Sequence, residues 1–366
     1  MTDQGRRRLV KTGLATTLAV ALPRAARGVA AVSEEAAMGQ SPRTVECPGL
    51  FDLQVNGFAG VDFGDPSLTP ERLLGAVDAL RKTGVTRFLA TLITSPLDAF
   101  AASARLVART SSASIAGIHM EGPYISPEDG PRGAHPRAHV RDADVDDLKR
   151  RIDACDGTLR LLTVAPESPG VLRVIEHAVS QGITVAIGHT GATPAQVSDA
   201  MAAGVTMATH LGNGCAQMLP RHPNFLWEQL ADDRLTAGFI VDGHHLPPAT
   251  VKAMIRAKTP SRSVLVTDAI AAAGMPPGRY TLGGQEVELS PTGRVAMPGA
   301  PNLAGSALRL DVAIGNTVRF TGLSLEEVLP MATTRPATCV RLAPAGRVTA
   351  EWDAGACVLT VVGVTE

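Results

Sequence analysis

Between residues 49 and 270 the chain repeats one pattern. A run of apolar residues ends on polar ones, and a stretch follows in which apolar positions return every three or four residues. The apolar runs are GLFDLQVNG (49–57), VTRFLATLIT (85–94), SIAGIHMEG (114–122), LRLLTVAPE (159–167), ITVAIGHT (183–190), VTMATHLG (205–212), LTAGFIVDGHH (235–245) and SVLVTDAI (263–270). Near-continuous apolar runs fit strands buried on both faces, as in a parallel sheet covered by helices. Helices are predicted between them. Residues 69–84 open on Thr69-Pro70 and stop at Gly84, residues 168–182 open on Ser168-Pro169, and residues 193–204 open on Thr193-Pro194. Residues 247–258 end in basic side chains, as a helix C-terminus prefers. Eight such units predict an α/β fold of the (β/α)8 barrel type. A doubly wound open sheet is the alternative, but no GxGxxG follows the first run.

In such a barrel the site lies at the C-terminal ends of the strands. Here those ends carry Gln54 and Asn56, Glu121, His189, His210, Asp242 and His245, and Asp268. A single histidine after an apolar run is usually structural. This set is different, because each polar residue occupies the same point of its unit and barrel closure would bring them together. Of the nine histidines, His119, His189, His210, His244 and His245 lie at or just past these ends.

Glu121, His189 and His210 supply one carboxylate oxygen and two imidazole nitrogens, a set suited to a catalytic zinc with an open position for water. A metal so held lowers the pKa of its water to about 7. Asp268, closing the last run, is placed to take a proton from that water and return it to a leaving group.

The stretches PGLFDLQVNGFAGVDF (48–63), HMEGPYISPEDGPRGAHP (119–136), AIGHTGATPAQV (186–197), ATHLGNG (208–214), VDGHHLPP (241–248), LVTDAIAAAGMPPGRYTLGG (265–284) and NLAGSALRLD (302–311) resemble the N-acetylglucosamine-6-phosphate deacetylase family of the amidohydrolase superfamily. The resemblance implies hydrolysis of the acetamide of N-acetyl-D-glucosamine 6-phosphate. It implies Glu121, His189 and His210 as metal ligands, Asp268 as catalytic acid and base, and His135 as the group that polarises the acetyl carbonyl. Asn213, Gly214, Arg221 and His245 match sugar and phosphate contacts, and Gln54 is placed with them. Some amidohydrolases carry His-x-His where Gln54 and Asn56 stand. Amides are poor zinc ligands, so one divalent ion is expected, zinc first, with Fe2+ or another divalent transition metal as the alternative.

Two departures stand out. Gly212, Gly214 and Cys215 replace bulkier residues on a loop expected to line the sugar pocket. Only a short segment, residues 33–47, precedes the barrel (48–342), and the C-terminal segment (343–366) has room for about two strands, so the family's β side domain is expected to be reduced. A homodimer is the assembly the resemblance implies.

The 366 residues are 45% hydrophobic, enough for a substantial core, and carry a net charge of −1, which gives no footprint for nucleic acid. The five cysteines form no CxxC pair, and no run is long enough to span a bilayer as a mature helix. GRRRLVKTGLATTLAVALPRAARGVAA (5–31) reads as a twin-arginine export signal within residues 1–32, with cytoplasmic retention as the alternative. The rival activities are deacetylation of an unphosphorylated N-acetyl amino sugar, hydrolysis of another N-acyl or cyclic amide, and ligand binding without catalysis.

Overall fold

The computed structural model describes residues 41–299 and 302–365, so the signal-like segment lies outside the described residues. β1 (Arg43–Pro48) precedes the barrel. The first barrel strand is β2 (Leu50–Val55), followed by a small hairpin of β3 (Gly57–Phe58) and β4 (Val61–Asp62). The other barrel strands are β5 (Val85–Ile93), β6 (Ile115–Glu121), β7 (Leu159–Val164), β8 (Thr184–Ile187), β9 (Met207–Ala208), β10 (Thr236–Phe239) and β11 (Ser263–Leu265). These form one eight-stranded parallel sheet in the order β2-β5-β6-β7-β8-β9-β10-β11. Its ends meet just past the strands, where Asp268 N donates to Gln54 O (3.0 Å) and Asn56 N to Ala269 O (2.7 Å).

This seam is reinforced from below. The fully buried Asp52 carboxylate accepts from Gln54 N (3.1 Å), Thr267 N (3.2 Å) and Thr267 Oγ1 (2.6 Å). Burial pushes Asp52 up to about 7 despite these bonds.

The helices follow the apolar periodicity. α1 (Pro70–Arg81) buries Leu73, Ala76, Val77 and Leu80, spaced at three and four, and Thr69 caps it by accepting from Arg72 N. The helix Pro194–Ala202 has a full capping box between Thr193 and Gln196. The predicted cap at Ser168 is not formed. The helix Val171–Ser180 starts after Gly170 at φ 80°, with no side-chain cap, because the turn 168–170 is held by its backbone: Val171 N donates to Ser168 O and Ala143 N to Pro169 O.

Two antiparallel sheets flank the barrel. β12 (Gly278–Leu282), β13 (Gln285–Leu289) and β14 (Val295–Ala296) form a meander inserted after the last barrel strand. β15 (Arg347–Asp353) and β16 (Val358–Thr365) pair with each other, and β1 pairs with β15. Residues 43–48, most of them in the segment 33–47 read as a linker or remnant of the β side domain, form the strand that pairs with β15. Among the described residues no helix is long and apolar enough to cross a membrane.

Candidate active site

The strand ends surround a cavity of about 560 Å³. At its floor, His189 Nε2 and His210 Nε2 lie 3.2 Å and 3.1 Å from Glu121 Oε1, and 3.2 Å from each other. All three residues are buried. Among the described residues this is the one cluster of His, Cys, Asp or Glu able to hold a metal ion.

The hydrogen bonds fix which ring nitrogens can ligate. His189 Nδ1 faces Pro131 O at 2.9 Å, and a carbonyl can only accept. The proton therefore sits on Nδ1, and the Nε2 lone pair points into the cluster. His210 Nδ1 is buried without a partner, while its Nε2 faces Glu121. Burial alone would raise the Glu121 carboxyl, but when the imidazoles of His189 and His210 are protonated their hydrogen bonds and charges outweigh it and hold Glu121 well below the usual carboxylate range; a bound cation takes the place of those protons. Two inward imidazole lone pairs and one ionised carboxylate fit a borderline divalent cation.

His135 has the opposite tautomer. Thr94 N donates to its Nδ1 at 3.3 Å, and Thr94 Oγ1 lies 2.8 Å away. Burial, helped by the nearby His189, holds this ring well below the usual histidine range and hence neutral. With Nδ1 accepting, the proton sits on Nε2, which lies 3.8 Å from Glu121 Oε2. His135 thus offers an N–H donor beside the candidate metal-binding set.

Asp268 stands across the floor. Asn56 Nδ2 donates to Asp268 Oδ1 at 2.6 Å. Gln54 Nε2 bridges the two carboxylates, donating to Asp268 Oδ1 (3.1 Å) and Glu121 Oε1 (2.8 Å). Burial, and then the charge of Glu121, raise Asp268 to about 6, near the range where a carboxyl exchanges protons at neutral pH. The amide hydrogens of Gln54 fill the space between the carboxylates, where a second cation would need lone pairs. His189, His210 and Asp268 all adopt positive φ (51°, 27° and 52°). Such backbones are costly for non-glycine residues and gather at functional sites.

The expected sugar-side residues divide. Asn213, Gly214 and His245 line the cavity. His245 Nδ1 pairs with Asp242 Oδ2 at 2.7 Å, so its Nε2 is left for a ligand. A Cβ on Gly214 would lie 2.9 Å from His189 Nδ1 and 3.2 Å from His210 Cε1, so the altered loop presses directly on two of the proposed ligands. Arg221 is exposed and outside the cavity lining. It makes no ion pair among the described residues, and Asp232 is paired with Arg234. His119 is buried between Thr91 and Thr163 in the barrel interior, and His244 bonds Thr292 O.

Sequence reasoning missed the groups that orient these side chains. Thr94 and the Pro131 carbonyl set the two tautomers, and a backbone carbonyl leaves no trace in residue identity. It also missed the β12–β13 hairpin, whose Leu282 reaches the cavity wall, although the alternation of QEVEL (285–289) was a signal for a strand.

A family model described as "Amidohydrolase family" matches residues 45–365. The chain is 36% identical over 321 residues to an N-acetylgalactosamine-6-phosphate deacetylase of Escherichia coli O157:H7, covering 86% of this chain and 83% of that protein. It is 38% identical over 312 residues to the human N-acetylglucosamine-6-phosphate deacetylase, covering 81% and 74%. Among solved structures, an N-acetyl-D-glucosamine-6-phosphate deacetylase mutant of Mycobacterium smegmatis, in complex with N-acetyl-D-glucosamine-6-phosphate, superposes with a TM-score of 0.81 at 32% identity, covering 87% of this chain and 85% of that one.

Proposed function

The chain belongs to the amidohydrolase family, a family of metal-dependent hydrolases, and from that premise we propose that it hydrolyses the acetamide of N-acetyl-D-glucosamine 6-phosphate to glucosamine 6-phosphate and acetate. The observation that carries this reading is one buried floor that brings Glu121, His189 and His210 together with His135 and Asp268.

Glu121, His189 and His210 would hold one divalent ion, zinc by the chemistry of the donors. When bound, the ion supplies Lewis acidity to the amide and to the attacking water. The remaining work belongs to the chain. Asp268 takes a proton from the water as its oxygen bonds to the acetyl carbon. The Nε2–H of His135 donates to the carbonyl oxygen as negative charge develops there. Asp268 then gives the proton to the nitrogen, the C–N bond breaks, and acetate and the free amine leave. Gln54 and Asn56 hold the Asp268 carboxylate in place throughout.

The phosphate reading is supported by the backbone of Asn213 and Gly214 and by His245 on the cavity wall. The test is an acetate-release assay over the N-acetyl derivatives of glucosamine and galactosamine, each with and without a 6-phosphate. The expected result is the highest kcat/KM for N-acetylglucosamine 6-phosphate. A preference for the galactosamine isomer would move the activity to that of the Escherichia coli relative, and equal rates on free sugars would remove the phosphate assignment.

We further propose that residues 1–32 direct export by the twin-arginine route, on the strength of Arg6 and Arg7 before a short apolar run. Replacing both by Lys should leave unprocessed precursor inside the cell. An intact N-terminus retained equally in wild type and variant would overturn this.

A further inference from the structure

The cavity has an apolar patch that the reaction scheme does not use. Ile93, Ala134 and Leu282 line it. They belong to a small apolar cluster, separate from the main barrel core, in which Leu282 packs with Ile270, Val287 and Leu289, and Ile93 and Ala134 lean against it. The patch flanks His135: Ala134 precedes it in the chain, and Ile93 precedes Thr94, whose N–H fixes the His135 ring.

Hydrogen bonds join the elements that form the patch. Gln285, just past the hairpin turn, donates from Nε2 to Ala134 O at 2.6 Å. Asp62 Oδ2 accepts from Gly283 N at 2.8 Å. Gly283 has φ 55°, and a Cβ there would come within 2.7 Å of Ile93 Cδ1, so the turn sits directly on Ile93. Ile93 is in turn the strand neighbour of Glu121.

An amide carbon carries three groups. In the scheme above its oxygen faces His135, and its nitrogen is protonated by Asp268. The sugar on that nitrogen extends toward the polar groups that follow β9 and β10, namely Asn213, Gly214 and His245. The third group, the acyl chain, is left with the β5–β6 side, where the cavity wall is apolar and fixed. We propose that Ile93 and Leu282 form the acyl-chain wall and set the length of acyl group the enzyme accepts, admitting a methyl group and excluding longer chains.

This inference rests on the deacetylase reading, and the experiment separates the two. Wild type and Leu282→Ala are assayed on N-formyl, N-acetyl, N-propionyl and N-butyryl glucosamine 6-phosphate, with release of the carboxylic acid as readout. Wild type should lose about tenfold or more in kcat/KM for each methylene beyond acetyl, the range for an extra methylene in a fitted pocket. Leu282→Ala should raise the butyryl-to-acetyl ratio by at least tenfold. Leu282→Phe should act in the opposite sense, raising the formyl-to-acetyl ratio, and Ile93→Ala should move in the same direction as Leu282→Ala. Metal content and the thermal midpoint are measured on each variant, so that a collapsed fold is distinguished from an altered wall. If wild type cleaves the acetyl substrate but no variant moves these ratios, the wall assignment is wrong. If wild type releases no acid from any member of the series, the deacetylase reading itself fails.

Discussion

On the β5–β6 side of the cavity, hydrogen bonds tie one element to the next: Thr94 to His135, Gln285 to the Ala134 carbonyl, and Asp62 to the hairpin turn. Beneath them the fully buried Arg151 binds Asp147, which also accepts from Tyr124, three residues past Glu121. The opposite rim, residues 212–222, is built otherwise. It carries glycines at positive φ, Met218 is 89% exposed, and Arg221 points to solvent without an ion pair among the described residues. Its ties run to the floor, through Thr190 N to Gly214 O (3.1 Å) and Asn213 Nδ2 to His210 O (3.3 Å). The difference separates two tasks. The side that holds a neutral His135 in one tautomer is over-determined, whereas the side proposed to meet the sugar is anchored at one end and open at the other.

The largest effect should come from the floor on which both sides depend. His210→Ala removes one of two imidazoles and leaves the buried Glu121 with only His189 and Gln54 as partners. It should abolish both metal content and activity, read by elemental analysis and acetate release, against about one divalent ion per chain in wild type. Two tightly held ions per chain would break the reading of Gln54 as an occupant of the space between Glu121 and Asp268.

Asp268→Asn tests the closing seam next. The shape is kept, and Asn56 and Gln54 still surround the side chain, but the proton acceptor is gone. Metal content should survive while kcat falls by about 10²–10⁴-fold, the usual contribution of a general acid–base group. Turnover like that of wild type would mean that another group carries the proton.

The same contrast explains what the sequence made legible. The eight strands and the polar residue ending each were visible because barrel strands are buried on both faces, so their apolar runs are nearly unbroken and a His or Asp at the end stands out. Asp268, His189 and His210 share that signature. Gly170 replaced the expected cap at Ser168 because a left-handed turn was already satisfied by backbone groups. The rigid side of the cavity was hidden for a related reason. Its determinants are a threonine hydroxyl, backbone carbonyls and a hairpin inserted after the last barrel strand, and none of these follows the repeating unit. The small residues of the rim, Gly212 and Gly214, were plain in the sequence, but the closeness of Gly214 to the rings of His189 and His210 was not.

Arg221 gives the smallest effect and the sharpest test of the rim. The family resemblance makes it a phosphate contact, and its planar fork suits phosphate oxygens. Yet it lies outside the cavity wall and is exposed. A charge pair left in water is worth about 0.2–1 kcal/mol, whereas a buried charge-assisted hydrogen bond is worth about 1.5–3 kcal/mol. If the rim stays as it is during catalysis, Arg221→Ala should lower kcat/KM for the phosphorylated sugar by no more than about fivefold, leave the free sugar unaffected, and lose its effect as salt is raised. If the loss instead reaches ten- to a hundredfold and resists salt, Arg221 must be desolvated against the phosphate. The rim would then close over bound substrate, and the open side of the cavity would be open only in the absence of its ligand. Steady-state kinetics on both sugars at low and high ionic strength decides between these outcomes, because only the second requires the side chain to leave solvent.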